Sequence, residues 1–145
     1  MTHHPTEEIP GRRLTPTANA RRAVELFGRD LIVDWCEALL SGGAGDDEPR
    51  YPQLEWLGGT IGWPAYWARV WGARGLLHVG PPAHADVVLD ALDDESWRVR
   101  EMSLKVIIRH ELDDPSGRVA ACVEDLNGRV RAQALRALGV PRSDR

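Results

Sequence analysis

The feature that most constrains this 145-residue chain is an internal echo, in which Arg98-Val99-Arg100 returns as Arg129-Val130-Arg131. At the same offset of 31, Val99, Ser103, Leu104 and Ile107 match Val130, Ala134, Leu135 and Leu138. Upstream, Val88, Ala91, Leu92, Asp93 and Asp94 match Val119, Cys122, Val123, Glu124 and Asp125. Trp71, Gly75, Leu76 and Val79 suggest a weaker third copy 28 residues before the first. A period of this length marks a small helical unit that cannot bury its own apolar face and needs a stacked neighbour.

Apolar spacing and turn chemistry place helices near 64–79, 83–92, 96–110, 116–125 and 128–138. The breaks are Gly80-Pro81-Pro82, Asp93-Asp94-Glu95, Asp113-Asp114-Pro115 and Asn127-Gly128. Connections this short make successive helices antiparallel. Upstream, Ala20 to Phe27 and Leu31 to Leu40 read as two further helices, followed by the Gly- and Asp-rich loop 41–53, whose composition argues against packing. A short helix is expected around Leu54 to Leu57, ended by Gly58-Gly59, and Trp63-Pro64 reads as a helix start. Residues 1–17, with Pro5, Pro10 and no periodicity, read as a flexible tail that includes His3 and His4, and 140–145 as a short C-terminal tail.

Aliphatic positions in a first helix, an acidic turn, then Val-Arg, a small residue and Leu in a second helix resemble the HEAT-like (armadillo-type) repeat family over residues 64–139. The resemblance implies a short right-handed α-solenoid of antiparallel helix pairs, a binding scaffold whose second helices line the concave side. The fold class expected is therefore all-α, with 18–63 as a helical N-terminal cap or degenerate repeat.

On a helical wheel with Val99 at zero, Ser103, Leu104 and Ile107 fall between about 40° and 140°, and Arg100 at about 100° lies among them. Arg100 and Arg131 are thus expected to face inward as structural partners of Asp93 or Asp94 and Glu124 or Asp125. Arg98, Lys105 and Arg109 fall near about −100°, −120° and −80°, a separate basic stripe that Arg129 and Arg136 continue in the next repeat. These five are candidate partner-binding residues, the alternative being a solvated charged face.

Six tryptophans stand among only nine aromatic residues. Trp63, Trp67 and Trp71 recur every fourth residue with Tyr66 beside them, and read either as packing at the junction with the repeats or as an aromatic contact patch.

The net charge of −4 does not favour general attraction to nucleic acid, so any such role would rest on a local basic surface. Cys36 and Cys122 show no disulfide or zinc spacing. No long apolar run or signal-like start is found, and a cytoplasmic location is expected.

Catalytic readings are weak. HEAT-like deoxyhypusine hydroxylases hold iron with several His-Glu pairs, whereas here His110-Glu111 stands alone. HEAT-like alkylpurine DNA glycosylases use a basic concave surface, aromatic residues and an essential carboxylate on a longer chain. His78 and His84 lack convincing ligand spacing and read as loop or core histidines. The expectation is a non-catalytic protein-interaction scaffold without a cofactor, with nucleic-acid binding or DNA repair as the alternative.

Overall fold

The computed structural model describes residues 15–139. Local chemistry sets most helix ends. Thr15 Oγ1 accepts from the Ala18 N–H at 3.1 Å and Pro16 occupies the first helical turn, so α1 runs Pro16–Phe27. It therefore begins inside the segment expected to be a tail; the rest of that segment, with His3 and His4, lies outside the described residues, as does 140–145.

Gly28 separates α1 from α2 (Arg29–Ser41), which stops at Gly42 in the left-handed region. The loop after α2 packs more than its composition suggests, with Ala44 buried and its N–H bonded to the Ala38 carbonyl. A 3-10 turn, Leu54–Leu57, buries Leu54, Trp56 and Leu57.

Beyond it lie α3 (Ala65–Val79), α4 (Ala85–Asp90), α5 (Trp97–His110), α6 (Arg118–Ala121) and α7 (Gly128–Ala137). The two short helices, α4 and α6, each tighten into a 3-10 turn, Ala91–Asp93 and Cys122–Glu124. Seven α-helices and no strand occur among the described residues.

One continuous core links α1 to α7. α3 sits at its centre, against α2, α1 and α5, and α5 in turn packs on α7. Trp35, Trp56, Ile32, Leu39, Leu76, Leu104, Val99 and Val130 are fully buried within it. Burial of this kind contributes roughly 25 cal/mol per Å² of apolar surface removed from water.

Two glycines let α3 approach α2. A Cβ on Gly72 would lie 2.6 Å from the Cys36 carbonyl oxygen and 2.8 Å from Leu39 Cβ, and one on Gly75 would collide with Cys36 Sγ. Cys36 and Cys122 are free and buried, and burial pushes both thiols above their ordinary range.

Candidate binding surface

The repeat is visible as recurring bonds. Arg69 Nε donates to Asp94 Oδ2 at 2.7 Å, and Arg100 Nε donates to Asp125 Oδ2 at 2.7 Å. In both aspartates the other oxygen, Oδ1, accepts from the N–H two residues on, Ser96 at 2.8 Å and Asn127 at 2.9 Å. Arg100 and Arg131 each donate from Nη1 to the carbonyl six residues back, on Asp94 and Asp125, both at 2.7 Å.

Arg69, Arg100 and Arg131 stand 31 residues apart. The third copy is therefore in register at 31 residues and not at 28, which sets Ala68, Gly72, Ala73 and Leu76 against Val99, Ser103, Leu104 and Ile107. The two alignments differ by about one helical turn and present the same apolar face, so hydrophobic spacing cannot separate them. The ion pair can.

Of the acidic residues expected to partner Arg100 and Arg131, Asp94 and Asp125 serve this ladder. Asp93 instead accepts from Arg118 Nε at 2.9 Å, and the Glu124 side chain makes no ion pair or hydrogen bond among the described residues. Arg131 is exposed and meets Asp125 through its carbonyl alone. Burial raises the Asp125 carboxyl, but the hydrogen bonds from Arg100 and Asn127 and the charges of Arg100 and Arg131 outweigh it and hold the group below its ordinary value.

A second row runs along the start of α3, α5 and α7. Trp63, just before α3, meets Trp67 edge-on at 5.6 Å between centroids, and Trp71 at 5.8 Å. Trp67 stacks on Trp71 at 6.0 Å and touches Tyr66 at 5.3 Å. The Arg98 guanidinium lies 5.3 Å from the Trp67 ring centre and 4.5 Å from that of Trp97, and Arg129 lies 5.5 Å from Trp97. The row therefore alternates indole and guanidinium, an arrangement in which ring quadrupoles hold the cations in place.

Exposure is graded along the tryptophans. Trp71 is 4% exposed and belongs to the core, Trp67 is half-buried, and Trp63 is 51% exposed beside Ile61 at 49%. Packing thus accounts for Trp71, while Trp63 lies at the surface. Asp46 Oδ2 accepts from the Gly62 N–H at 2.9 Å and tethers the segment that carries Ile61 and Trp63. Beside Trp63, a cavity of about 330 Å³ opens between the end of α2 and the start of α3, walled by Leu39, Ala44, Pro64 and Trp71.

The five basic candidates do not form one stripe. Arg98 and Arg129 join the row, where Arg129 Nε also donates to Glu101 Oε2 at 2.9 Å, while Arg98 pairs with no carboxylate among the described residues. Arg109, eleven residues beyond Arg98, lies about 16 Å further along α5 and acts on His78 instead. Lys105 is half-buried and Arg136 exposed, and neither side chain makes an ion pair or hydrogen bond among the described residues. The wheel angles placed the residues on one side of the helix but carried no information about what the next helix brings opposite.

Trp97 and Glu101 were missed as members of this surface. The signal for Trp97 was present, because Tyr66-Trp67, Trp97-Arg98 and Gly128-Arg129 are equivalent pairs at the 31-residue offset.

The histidines are dispersed. His110 Nε2 bonds the Leu76 carbonyl at 2.8 Å, whereas Glu111 is exposed and ends α5 with a positive φ of 51°. His84 Nδ1 lies 2.8 Å from Oε1 of the buried Glu37, whose Oε2 also accepts from the Ala83 and His84 N–H groups and so caps the approach to α4. Among the described residues no three His, Cys, Asp or Glu side chains come together as metal ligands, and no helix is long and apolar enough to cross a membrane. Comparison of the chain with protein-family models, with curated proteins and with solved structures finds no match.

Proposed function

We propose that this chain is a non-catalytic interaction module built as a short HEAT-like solenoid of antiparallel helix pairs. The 31-residue recurrence of the Arg–Asp bonds supports the repeat reading, since equal bonds at equal spacing need equivalent helix placements. The two free, buried cysteines suit a reducing compartment, and we place the module in the cytoplasm.

The observation that carries the binding role is the row Trp63, Trp67, Arg98, Trp97 and Arg129. Its faces are occupied by stacking, yet Arg98 keeps its guanidinium edge without a carboxylate partner among the described residues, and Trp63 is held half-exposed over a cavity. Tryptophan and arginine are the residues most enriched where binding energy concentrates. The partner that fits is an acidic protein segment with an apolar anchor, its carboxylate on Arg98 and its anchor beside Trp63.

Selection of random peptides on the immobilised protein tests this. Enriched peptides should pair Asp or Glu with a bulky apolar residue, and their affinity should fall at least about tenfold for Arg98→Glu and for Trp63→Ala, the loss of one charged hydrogen bond or one anchor. Lys105→Glu and Arg136→Glu, which lie off the row, should bind normally. Peptides that bind Arg98→Glu and Trp63→Ala as well as the parent would overturn the proposed surface.

The alternation of indoles and guanidiniums also favours a second reading, the stacking of bases of a single-stranded nucleic acid. The net charge of −4 and the buried Glu101 beside Arg129 weigh against it. Retention of an oligonucleotide that weakens steeply with salt and is lost in Trp63→Ala would favour that reading over the first.

A further inference from the structure

The described arginines differ in whether a carboxylate reaches them. Arg69, Arg100, Arg118 and Arg129 each have a carboxylate within ion-pair distance. Among the described residues Arg21, Arg29, Arg74 and Arg109 have none, and neither do Arg98, Arg131 and Arg136, which lie elsewhere. Arg21, Arg29, Arg74 and Arg109 come from α1, α2, α3 and α5 and meet near the C-terminal end of α3, where Arg21 and Arg29 line one cavity with His78 and Val79 and the charges of Arg74, Arg109 and Arg21 all act on His78. An unneutralised cluster of cations is unfavourable to assemble, so in a chain with an excess of acids its persistence requires an explanation.

A cavity of about 440 Å³ lies at this place, lined by Arg21, Val24, Glu25, Arg29, His78 and Val79. Arg29 is held by a hydrogen bond from Nη1 to the Val79 carbonyl, and His78 Nδ1 lies 3.1 Å from Thr17 Oγ1. Arg74 donates from Nη2 to the Leu57 carbonyl at 3.0 Å, while its buried Nε has no hydrogen-bond partner among the described residues. Arg21 and Arg109 are exposed, and their side chains make no hydrogen bond among the described residues. Glu25 is the one acid that lines the cavity.

We propose that this cavity is a binding site for a small phosphomonoester. Arg21 and Arg29 are placed to take the phosphate oxygens, since a guanidinium matches a tetrahedral oxyanion with paired donors. Arg74 and Arg109 add positive field from behind, which favours a dianionic phosphate over a single carboxylate. Val24 and Val79 offer an apolar wall to the organic part of the ligand, and Glu25 can accept from a hydroxyl on it. The volume is that of a small-molecule site and exceeds what a bare phosphate needs.

His78 makes the site self-reporting. Burial, then the charges of Arg74, Arg109 and Arg21, hold its imidazole below the ordinary histidine value. A bound dianion would offset those three charges and move the imidazole back upward. Of the other polar groups at the cavity, Thr17 is neutral, and Glu25 and Arg29 are there with or without the ligand, so none of them produces the shift.

The test is an NMR titration of the His78 ring across pH on the full chain, with the signal assigned by its loss in His78→Gln. Spectra are taken with sodium chloride, with inorganic phosphate and with phenyl phosphate at matched ionic strength. Phenyl phosphate should raise the His78 midpoint saturably and bind at least about threefold tighter than inorganic phosphate, the gain expected from a partly buried ring. Arg21→Ala, a change at an exposed residue, should weaken binding about tenfold or more. If that variant does not fold, Arg109→Gln should lower the affinity by a smaller factor.

A His78 midpoint that responds equally to chloride and to both phosphates reports only salt screening, and it would overturn the proposal. So would phosphate binding that is unchanged in Arg21→Ala. The site is separate from the Trp63 row, so Trp63→Ala should leave phosphate binding intact, and failure here says nothing against the peptide surface.

Discussion

Arg100 and Asp125 form a two-pronged ion pair, Nε to Oδ2 at 2.7 Å and Nη2 to Oδ1 at 3.0 Å, which ties α5 to the turn before α7. Both side chains are largely shielded from water, at 17% and 10% exposure. Removing the arginine strands a carboxylate that is part-buried. Arg100→Ala should therefore lower the unfolding free energy by about 2–4 kcal/mol, whereas Arg131→Ala, which loses one bond from an exposed residue to a carbonyl, should cost about 1 kcal/mol or less. Urea denaturation of the two variants measures the contrast, and equal losses would remove the ladder as a source of stability.

The same pair predicts an acid response. The Asp125 carboxyl is held below its ordinary value of 3.8, and so is that of Asp114, where burial is outweighed by hydrogen bonds from Ser116 and the Val119 N–H and by the Arg118 charge. A carboxyl depressed in the folded state contributes stability that is complete above its unfolded value and is lost as pH falls through the folded one. Stability should thus fall below about pH 4, and Asp125→Asn should be less stable at neutral pH with a shallower acid decline. Urea midpoints that fall equally steeply in parent and variant would contradict this origin.

The tryptophan cluster should split by burial. Trp71→Ala empties a core position and should cost about 3–5 kcal/mol, while Trp63→Ala removes a half-exposed ring and should cost about 1 kcal/mol or less. Thermal unfolding followed by circular dichroism distinguishes them. A large loss in Trp63→Ala would assign that residue to folding and leave the exposed end of the row without a binding role.

The corrected register makes Gly72, Ser103 and Ala134 equivalent, and their variants test it. Ser103 is fully buried and its Oγ has no hydrogen-bond partner among the described residues. Ser103→Ala removes a desolvated hydroxyl and supplies the residue already present at 134, so stability should be unchanged or raised by up to about 1 kcal/mol. Gly72→Ala would press a methyl against the Cys36 carbonyl and the Leu40 nitrogen, 2.6 and 2.9 Å away, and backbone cannot yield cheaply. A loss of about 1–3 kcal/mol is expected from denaturant melts. A neutral Gly72→Ala would mean that α2 and α3 can separate without penalty.

The helices were legible in the sequence to within a few residues because their ends are written in local chemistry. Gly80-Pro81-Pro82, Asp94, Asn127 and Gly128 stop or start a helix through φ preference and capping, which need no distant partner. The start of α1 was placed late because Thr15 and Pro16 lie among unpatterned residues. The Arg69–Asp94 pair aligns with Arg100–Asp125 at 31 residues, about one turn from the 28-residue offset read for Trp71, Gly75, Leu76 and Val79, because both alignments present the same apolar face.

What the sequence determined by itself is the all-helical character of residues 15–139, the 31-residue echo and the inward placement of Arg100, because each rests on periodicity along one helix. Which arginines remain without carboxylates was decided only by tertiary structure. Arg98 meets Trp67 from 31 residues away and Arg129 meets Glu101 from 28, while Arg21, Arg29, Arg74 and Arg109 converge from four separate helices. Charge pairing acts over a few ångströms of space, and a helix wheel reports direction around one axis without reporting what stands opposite.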